Sequence, residues 1–86
     1  MNNYQQIYTN KDLRDLSISD EIDRHINQIL KMTRKGEVYT GIEISPRFED
    51  DVIKILKRTF TDSVFIRVGE SSRYNKPFIL YKINWE

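Results

Sequence analysis

The segment FILYKINW, residues 78–85, is the stretch of sequence that decides the fold. In its first half both alternating sets of positions are apolar, which indicates a strand buried on both faces. The stronger of its two faces carries Ile79, Tyr81, Ile83 and Trp85. We therefore expect this segment to be the central strand of a sheet, with the other strands on either side of it.

Two segments upstream alternate between apolar and polar residues and are predicted to be those strands, residues 37–44 and 63–69. The residues expected to face inward are Val38, Thr40, Ile42 and Ile44 in the first strand, and Val64, Ile66 and Val68 in the second. Since neighbouring residues of a strand point to opposite faces, this predicts that Tyr39, Phe65 and Arg67 point outward.

A helix is predicted from Ser17 or Ser19 to Lys35, before Gly36. Its apolar stripe consists of Ile18, Ile22, Ile26, Ile29 and Leu30. Residues 9–13 are expected to cap a short separate turn.

A second helix is predicted to begin at Ser45-Pro46 and to end near Phe60, because proline suits a first helical position. Its buried face is expected to consist of Phe48, Val52, Leu56 and Phe60, widened by Ile53 and Ile55.

The order of elements is therefore α, β, α, β, β, which predicts an α+β fold. The right-handed crossover through the second helix makes the first two strands parallel, and the third strand fits between them, antiparallel to both. We expect a three-stranded mixed sheet of order 1-3-2, packed with helices, in a single domain spanning residues 1–86. Residues 1–8 are expected to fray, and residues 70–77 to form a flexible loop.

Composition places the chain in the soluble globular class, with 38% hydrophobic and 31% charged residues and a formal charge of +1. A nearly balanced charge creates no strong field to attract nucleic acid or anionic lipid. A domain of this length buries a modest core, so a homo-oligomer is a reasonable expectation. The sequence shows no export or membrane signal, so we expect a cytoplasmic protein.

Catalysis and metal binding have little support in the sequence. There is no cysteine, which excludes a thiolate zinc site and a cysteine nucleophile, and there is no glycine-rich phosphate loop. His25 and Glu21 share a helix face, but they supply only two metal ligands, and we expect a solvated, weakly paired histidine. The acidic run 49–51 is expected to complement the helix dipole. The prediction is a protein that is not an enzyme and has neither cofactor nor metal.

The candidate binding residues lie on the sheet face away from the helices and in the loop. If both helices cover one face, the other face shows large apolar side chains among charges, and the 70–77 loop adds a cation and an aromatic ring. The predicted binding residues are Tyr39, Phe65, Arg67, Arg73, Tyr74 and Lys82.

The order of elements, together with the ending Tyr81-Lys82-Ile83-Asn84-Trp85, resembles small accessory proteins of tailed phages, many of which close on an aromatic-x-Ile-x-Trp strand. The resemblance covers about residues 17–86. It implies a phage source and a binding role in the cytoplasm of the host cell, and it assigns no site residues.

Two functional hypotheses follow. The first is a non-catalytic binding module that docks its aromatic sheet face or a strand edge on a host protein, which it blocks or modulates, or on a second copy of itself. The alternative is a small nucleic-acid or nucleotide binder that uses the sheet face and the loop, including Arg67, Arg73, Tyr74 and Lys82.

Overall fold

A computed structural model describes residues 7–86 of the protein. The elements are helix α1 (Asn10–Arg34), strand β1 (Tyr39–Ile44), one 3-10 turn (Pro46–Phe48), helix α2 (Glu49–Thr59), strand β2 (Val64–Arg73) and strand β3 (Lys76–Asn84). The predicted order of elements is confirmed. Most of the segment expected to fray, residues 1–6, lies outside the described residues.

The three strands form one sheet in the predicted order, β1-β3-β2. β3 pairs antiparallel with both of its neighbours, so every hydrogen-bonded pair is antiparallel and the prediction of a mixed sheet is wrong. β1 and β2 do run in the same direction, but β3 separates them and they form no parallel ladder. The α+β class is confirmed.

Helix α1 begins earlier than the sequence predicted, and the expected separate turn does not exist. Thr9 and Asp12 form a capping box, in which the Thr9 hydroxyl accepts the Asp12 N–H at 3.1 Å and the Asp12 carboxylate accepts the Thr9 N–H at 3.0 Å. This box satisfies two N–H groups that a helix start otherwise leaves unpaired, and so the helix starts at residue 10. The Ser17 and Ser19 positions lie in the helix interior.

The second helical segment has two parts. Pro46–Phe48 form a 3-10 turn, and the α-helix proper runs from Glu49 to Thr59. Ser45 precedes the turn but makes no side-chain cap. Its N–H donates instead to the Glu21 carboxylate of α1, at 3.0 Å. The segment therefore begins where predicted, but Ser45 binds to α1 through its N–H and does not cap the segment with its side chain.

The buried apolar side chains form one cluster between the two helices and one face of the sheet. Its members are Ile18, Ile22 and Ile29 of α1, Ile42 and Ile44 of β1, Val52, Ile53 and Leu56 of α2, and Ile79, Tyr81 and Ile83 of β3. Ile55, which was expected to widen this core, is exposed on the surface of α2. Both helices therefore cover the same face of the sheet and leave the other face uncovered by any element of residues 7–86.

Helix α1 also covers the outer edge of the sheet at β1. Gln28 Nε2 donates to the Gly41 carbonyl at 2.7 Å, and the Glu21 carboxylate accepts the Ser45 N–H just beyond the strand. Edge strands expose unpaired backbone groups, and a side chain of α1 satisfies one of them here, the Gly41 carbonyl. The β1 edge is in this way partly covered by α1.

The predicted flexible loop at 70–77 is a regular β-hairpin. β2 and β3 pair as far as Arg73 and Lys76, and only Tyr74 and Asn75 form the turn between them. Both turn residues have positive φ, 52° and 64°, as a type I′ hairpin turn requires. The polar residues that suggested a loop are therefore exposed strand residues.

A β-bulge interrupts this hairpin between Arg67 and Gly69, where Val68 has no partner on β3. Gly69 has a φ of +156°, which side chains rarely adopt, so glycine suits this position. The bulge shifts the pairing of all β2 residues before it by one position.

Leu56→Ala tests the placement of α2. Leu56 has no exposed surface, and its truncation leaves a cavity, so we expect a loss of about 2–5 kcal/mol in the free energy of unfolding. Thermal or denaturant melting measures the loss. The matched variant Ile55→Ala, at an exposed position of the same helix, should lose much less. A loss below about 0.5 kcal/mol for Leu56→Ala would contradict the packing described here.

Candidate functional site

The sheet face opposite the helices has no helix or strand of residues 7–86 packed on it, and we call it the open face. Strand pairing places on it Tyr39, Gly41 and Glu43 of β1, Phe78, Leu80, Lys82 and Asn84 of β3, and Val64, Ile66, Gly69, Ser71 and Arg73 of β2, with Lys76 beside the turn. Tyr39, Val64 and Ile66 are each about half exposed, whereas Phe78 and Leu80 are partly buried. The open face thus combines exposed apolar side chains with charged and polar ones, and Lys82 and Asn84 of β3 lie between Tyr39 and the pair Val64 and Ile66.

Two of the predicted binding residues, Phe65 and Arg67, are not on this face, and their outward orientation was a wrong prediction. Phe65 lies opposite Ile83 and packs against the core, while Arg67 lies opposite Tyr81 on the helix side. Counting back from the turn without interruption would place Ile66 opposite Ile83. The bulge before Gly69 shifts the register by one residue and exchanges the two faces of β2.

Arg67 belongs to a polar cluster on the helix side. Its Nε donates to Glu49 Oε2 at 2.7 Å, and Tyr81 Oη donates to the same oxygen at 2.6 Å. The hydrogen bonds from Arg67 and Tyr81 lower the pKa of Glu49. Burial, with the bond to the Glu49 carboxylate second, raises the pKa of Tyr81 to about 12. Glu49 therefore does more than complement the helix dipole, since it ties α2 to the sheet.

The other predicted cations lie on the open face beside aromatic rings. Lys82 Nζ is 4.8 Å from the centre of the Tyr39 ring. Arg73 pairs with the Glu43 carboxylate at 2.9 Å, and its guanidinium lies 5.5 Å from the centre of the Phe78 ring. The structure thus places Tyr39 and Lys82 on this face, where they were expected, and adds Arg73, which was expected in a loop, and Val64 and Ile66, which were expected in the core.

Tyr74 occupies the first position of the hairpin turn. Its side chain is 91% exposed, and its backbone has a φ of 52°. Asparagine or glycine is usual at such a position, and a tyrosine there costs about 1 kcal/mol in backbone strain. The ring packs little against the protein, so its exposure is consistent with the predicted binding role without testing it.

Glu21 and His25 form a buried pair, and the expectation of a solvated histidine is wrong. Their exposed fractions are 2% and 4%, and His25 Nε2 lies 3.3 Å from Glu21 Oε2. Burial alone would raise the pKa of Glu21, but the hydrogen bonds from His25 and Ser45 outweigh it, and the pKa is lowered. This face of α1 is buried where the helix contacts β1 and the segment after it, through Gln28 and Glu21.

Metal-site and membrane features were also sought among residues 7–86. In that part of the chain, no three histidine or acidic side chains converge in an arrangement that could bind a metal ion. Neither of its α-helices combines the length and apolarity that crossing a membrane requires. A cleft of about 480 Å³ between α1 and α2 is lined by Ile18, Ile22 and Ile55 with a few polar side chains.

Comparison of the chain with protein-family models, curated proteins and solved structures found no match. The resemblance to phage accessory proteins therefore stays a prediction, and the functional argument rests on the geometry of the open face.

Glu21→Gln tests the buried pair. Because the pKa of Glu21 is lowered in the folded protein, its charge stabilises the fold above the ordinary pKa of 4.5, and this stabilisation is lost as the pH falls through the lowered value. We expect Glu21→Gln to lose about 1–2 kcal/mol at pH 7 and to show a flatter decline of stability below about pH 5. Urea melts across this pH range, with exposed Glu37→Gln as the control, measure the difference. Parallel declines of wild type and Glu21→Gln would contradict it.

The double substitution Tyr74→Asn, Asn75→Gly tests the turn. It supplies the residues that a type I′ turn prefers, so the free energy of unfolding should rise by about 0.5–1 kcal/mol. Tyr74→Val, which puts a β-branched side chain at the same positive φ, should lower it. Thermal melting of the wild type and the two variants measures these changes. A double variant less stable than wild type would show that the Tyr74 ring contributes to the stability of the fold.

Proposed function

We propose that the protein is a non-catalytic binding module that docks on a partner protein through the open face. The observation that carries the proposal is the exposed apolar surface formed by Tyr39, Val64 and Ile66, continued by Phe78 and Leu80. Several large apolar side chains exposed on one sheet face are typical of a surface that a partner covers. Covering it would remove apolar area from water at about 25 cal/mol per Å².

A partner protein that is blocked or modulated suits this surface, because blocking requires complementary shape and no chemistry. For a phage accessory protein, as the sequence resemblance implies, the partner would be a host protein in the host-cell cytoplasm. A second copy of the chain is the other partner that the sequence analysis raised, and self-association is measurable by light scattering.

Nucleic acid is the alternative partner, and one observation favours it: the open face carries the cations Arg73 and Lys82 beside the rings of Phe78 and Tyr39. Such rings can stack on bases. Arg73, however, is already paired with Glu43, and Val64 and Ile66 on β2 are aliphatic. Affinity for a single-stranded oligonucleotide that falls steeply with added salt would support this alternative, and no binding at low salt would contradict it.

The double variant Tyr39→Ser, Ile66→Ser tests docking on a partner protein. Neither side chain belongs to the buried core, so the melting temperature should change little, whereas capture of the partner from a lysate of the cells that make the protein should fall by about tenfold or more. The matched control is Leu13→Ser, Leu16→Ser, which removes two equally exposed apolar side chains from α1.

Equal capture by the wild type and the open-face variant would contradict the proposal. Phe65→Ser provides a further contrast, because Phe65 packs against the core and its loss should lower the melting temperature. A Phe65→Ser protein that melts like wild type would show that the faces of β2 are assigned incorrectly.

A further inference from the structure

The charges of the open face are unbalanced. By strand pairing, it carries the three cations Arg73, Lys76 and Lys82 and the single carboxylate of Glu43. Glu43 pairs with Arg73. Among residues 7–86, no carboxylate lies within 4 Å of Lys82 Nζ, whose contact is with the Tyr39 ring. Lys82 is on the central strand, so any partner that covers the apolar surface also covers this ammonium group.

Removing Lys82 from water is costly unless the partner supplies an opposite charge. A partner that fits the open face therefore carries a carboxylate at the border of its apolar side chains, where it can meet Lys82 Nζ beside the Tyr39 ring. A second copy would bring the same excess of cations instead of the carboxylates that Lys82 needs. A two-fold face-to-face pair would place six cations together with two carboxylates. Charge complementarity thus favours a different, acidic protein over self-association through this face.

Gly41 adds an independent observation beside Lys82. Its φ is not in the positive range, and a Cβ built on it would meet only Leu80 Cδ1 at 3.6 Å and the Tyr81 carbonyl at 3.9 Å, which are ordinary contacts. The fold therefore has room for a side chain here, and glycine weakens a strand. Glycine in a strand without a conformational need is typical of a place where another chain approaches the backbone closely.

The width of the face suits one helix. Three strands about 4.8 Å apart place the outer strands roughly 10 Å from each other, which is about the diameter of an α-helix with its side chains. On the opposite side, the same sheet packs against α1 and α2.

Resting on the proposed function, we propose that the open face binds an amphipathic helix of a partner protein, whose apolar stripe is bordered by carboxylates that meet Lys82. The helix backbone or a small residue approaches at Gly41. Tyr39 and Ile66 contact the apolar stripe from the two sides, since they lie on the two outer strands.

Two synthetic 18-residue amphipathic helices test the proposal, identical in their leucine stripe and bordered by glutamates in one and by lysines in the other. Each is titrated into the isotope-labelled full chain, and amide chemical shifts are followed by NMR. We expect shifts centred on Gly41, Ile66 and Lys82 with the glutamate peptide, and at least tenfold weaker binding of the lysine peptide.

Two variants and one control sharpen the test. Lys82→Glu should lower the affinity for the glutamate peptide by at least tenfold and raise the affinity for the lysine peptide. Gly41→Thr should lower the affinity for the glutamate peptide by a similar factor. The melting temperature of this variant should stay the same or rise, because threonine suits a strand. The control Lys54→Glu makes the same charge change on the exposed surface of α2 and should leave both affinities unchanged.

The outcomes separate this inference from the proposed function. If both peptides bind equally, or neither shifts the open face, the acidic helix is wrong, while the capture experiment with Tyr39→Ser, Ile66→Ser still decides whether the face docks on a protein. A dimer in sedimentation that dissociates with Ile66→Ser would show that a second copy occupies the open face. Nucleic acid would be the partner if a single-stranded oligonucleotide changes the chemical shifts of the same amides and the glutamate peptide does not.

Discussion

The pairing of β3 with both other strands is the constraint on which the rest of the structure depends. β1 and β2 are far apart in sequence and never touch as a ladder, so only β3 holds them in one sheet. Ile79, Tyr81 and Ile83 on one side of β3 pack against both helices, while the residues on its other side form the middle of the open face. The composition of each face is therefore decided by how the neighbouring strands are registered against β3.

On the β2 side, that register depends on a single unpaired residue. Without the bulge at Val68, alternation would bury Ile66 and expose Phe65, as the sequence predicted. With it, Phe65 and Arg67 turn to the helices, where Arg67 joins Glu49 and Tyr81, and the aliphatic side chains of Val64 and Ile66 come to the surface. An extra residue in one strand thus changes which chemistry the open face offers to a partner.

The sequence predicts an element correctly where several residues repeat one pattern. It fails where a single local irregularity, such as a bulge or an unusual turn residue, changes the structure. The stripes of α1 and α2 and the doubly apolar β3 predict the elements and the strand order, since several residues agree on each. The faces of β2 cannot be predicted from alternation alone, because residues 64–66 are apolar in both registers. Gly69, an isolated glycine in a strand, was the available sign of a bulge. The turn at Tyr74-Asn75 was missed because tyrosine is unusual at positive φ.

The nearly neutral composition conceals a separation of charge. Three carboxylates are paired on the helix side. Glu21 binds His25 and the Ser45 N–H, Glu49 binds Arg67 and Tyr81, and Asp51 binds Arg14. The open face is left with more cations than carboxylates. A net charge of +1 therefore gives no indication of the excess of cations on the open face.

The hydrogen bonds from Glu21 and Gln28 to the backbone at β1 make the two edges of the sheet unequal. Growth of a β-sheet through many molecules requires two free edges on each of them, one to join the preceding molecule and one to accept the next. Among residues 7–86, α1 partly covers the first edge, and the β2 edge has no such cover. Strand addition between folded molecules is therefore favoured at β2, and a pair joined there is favoured over a longer assembly that would also need the β1 edge.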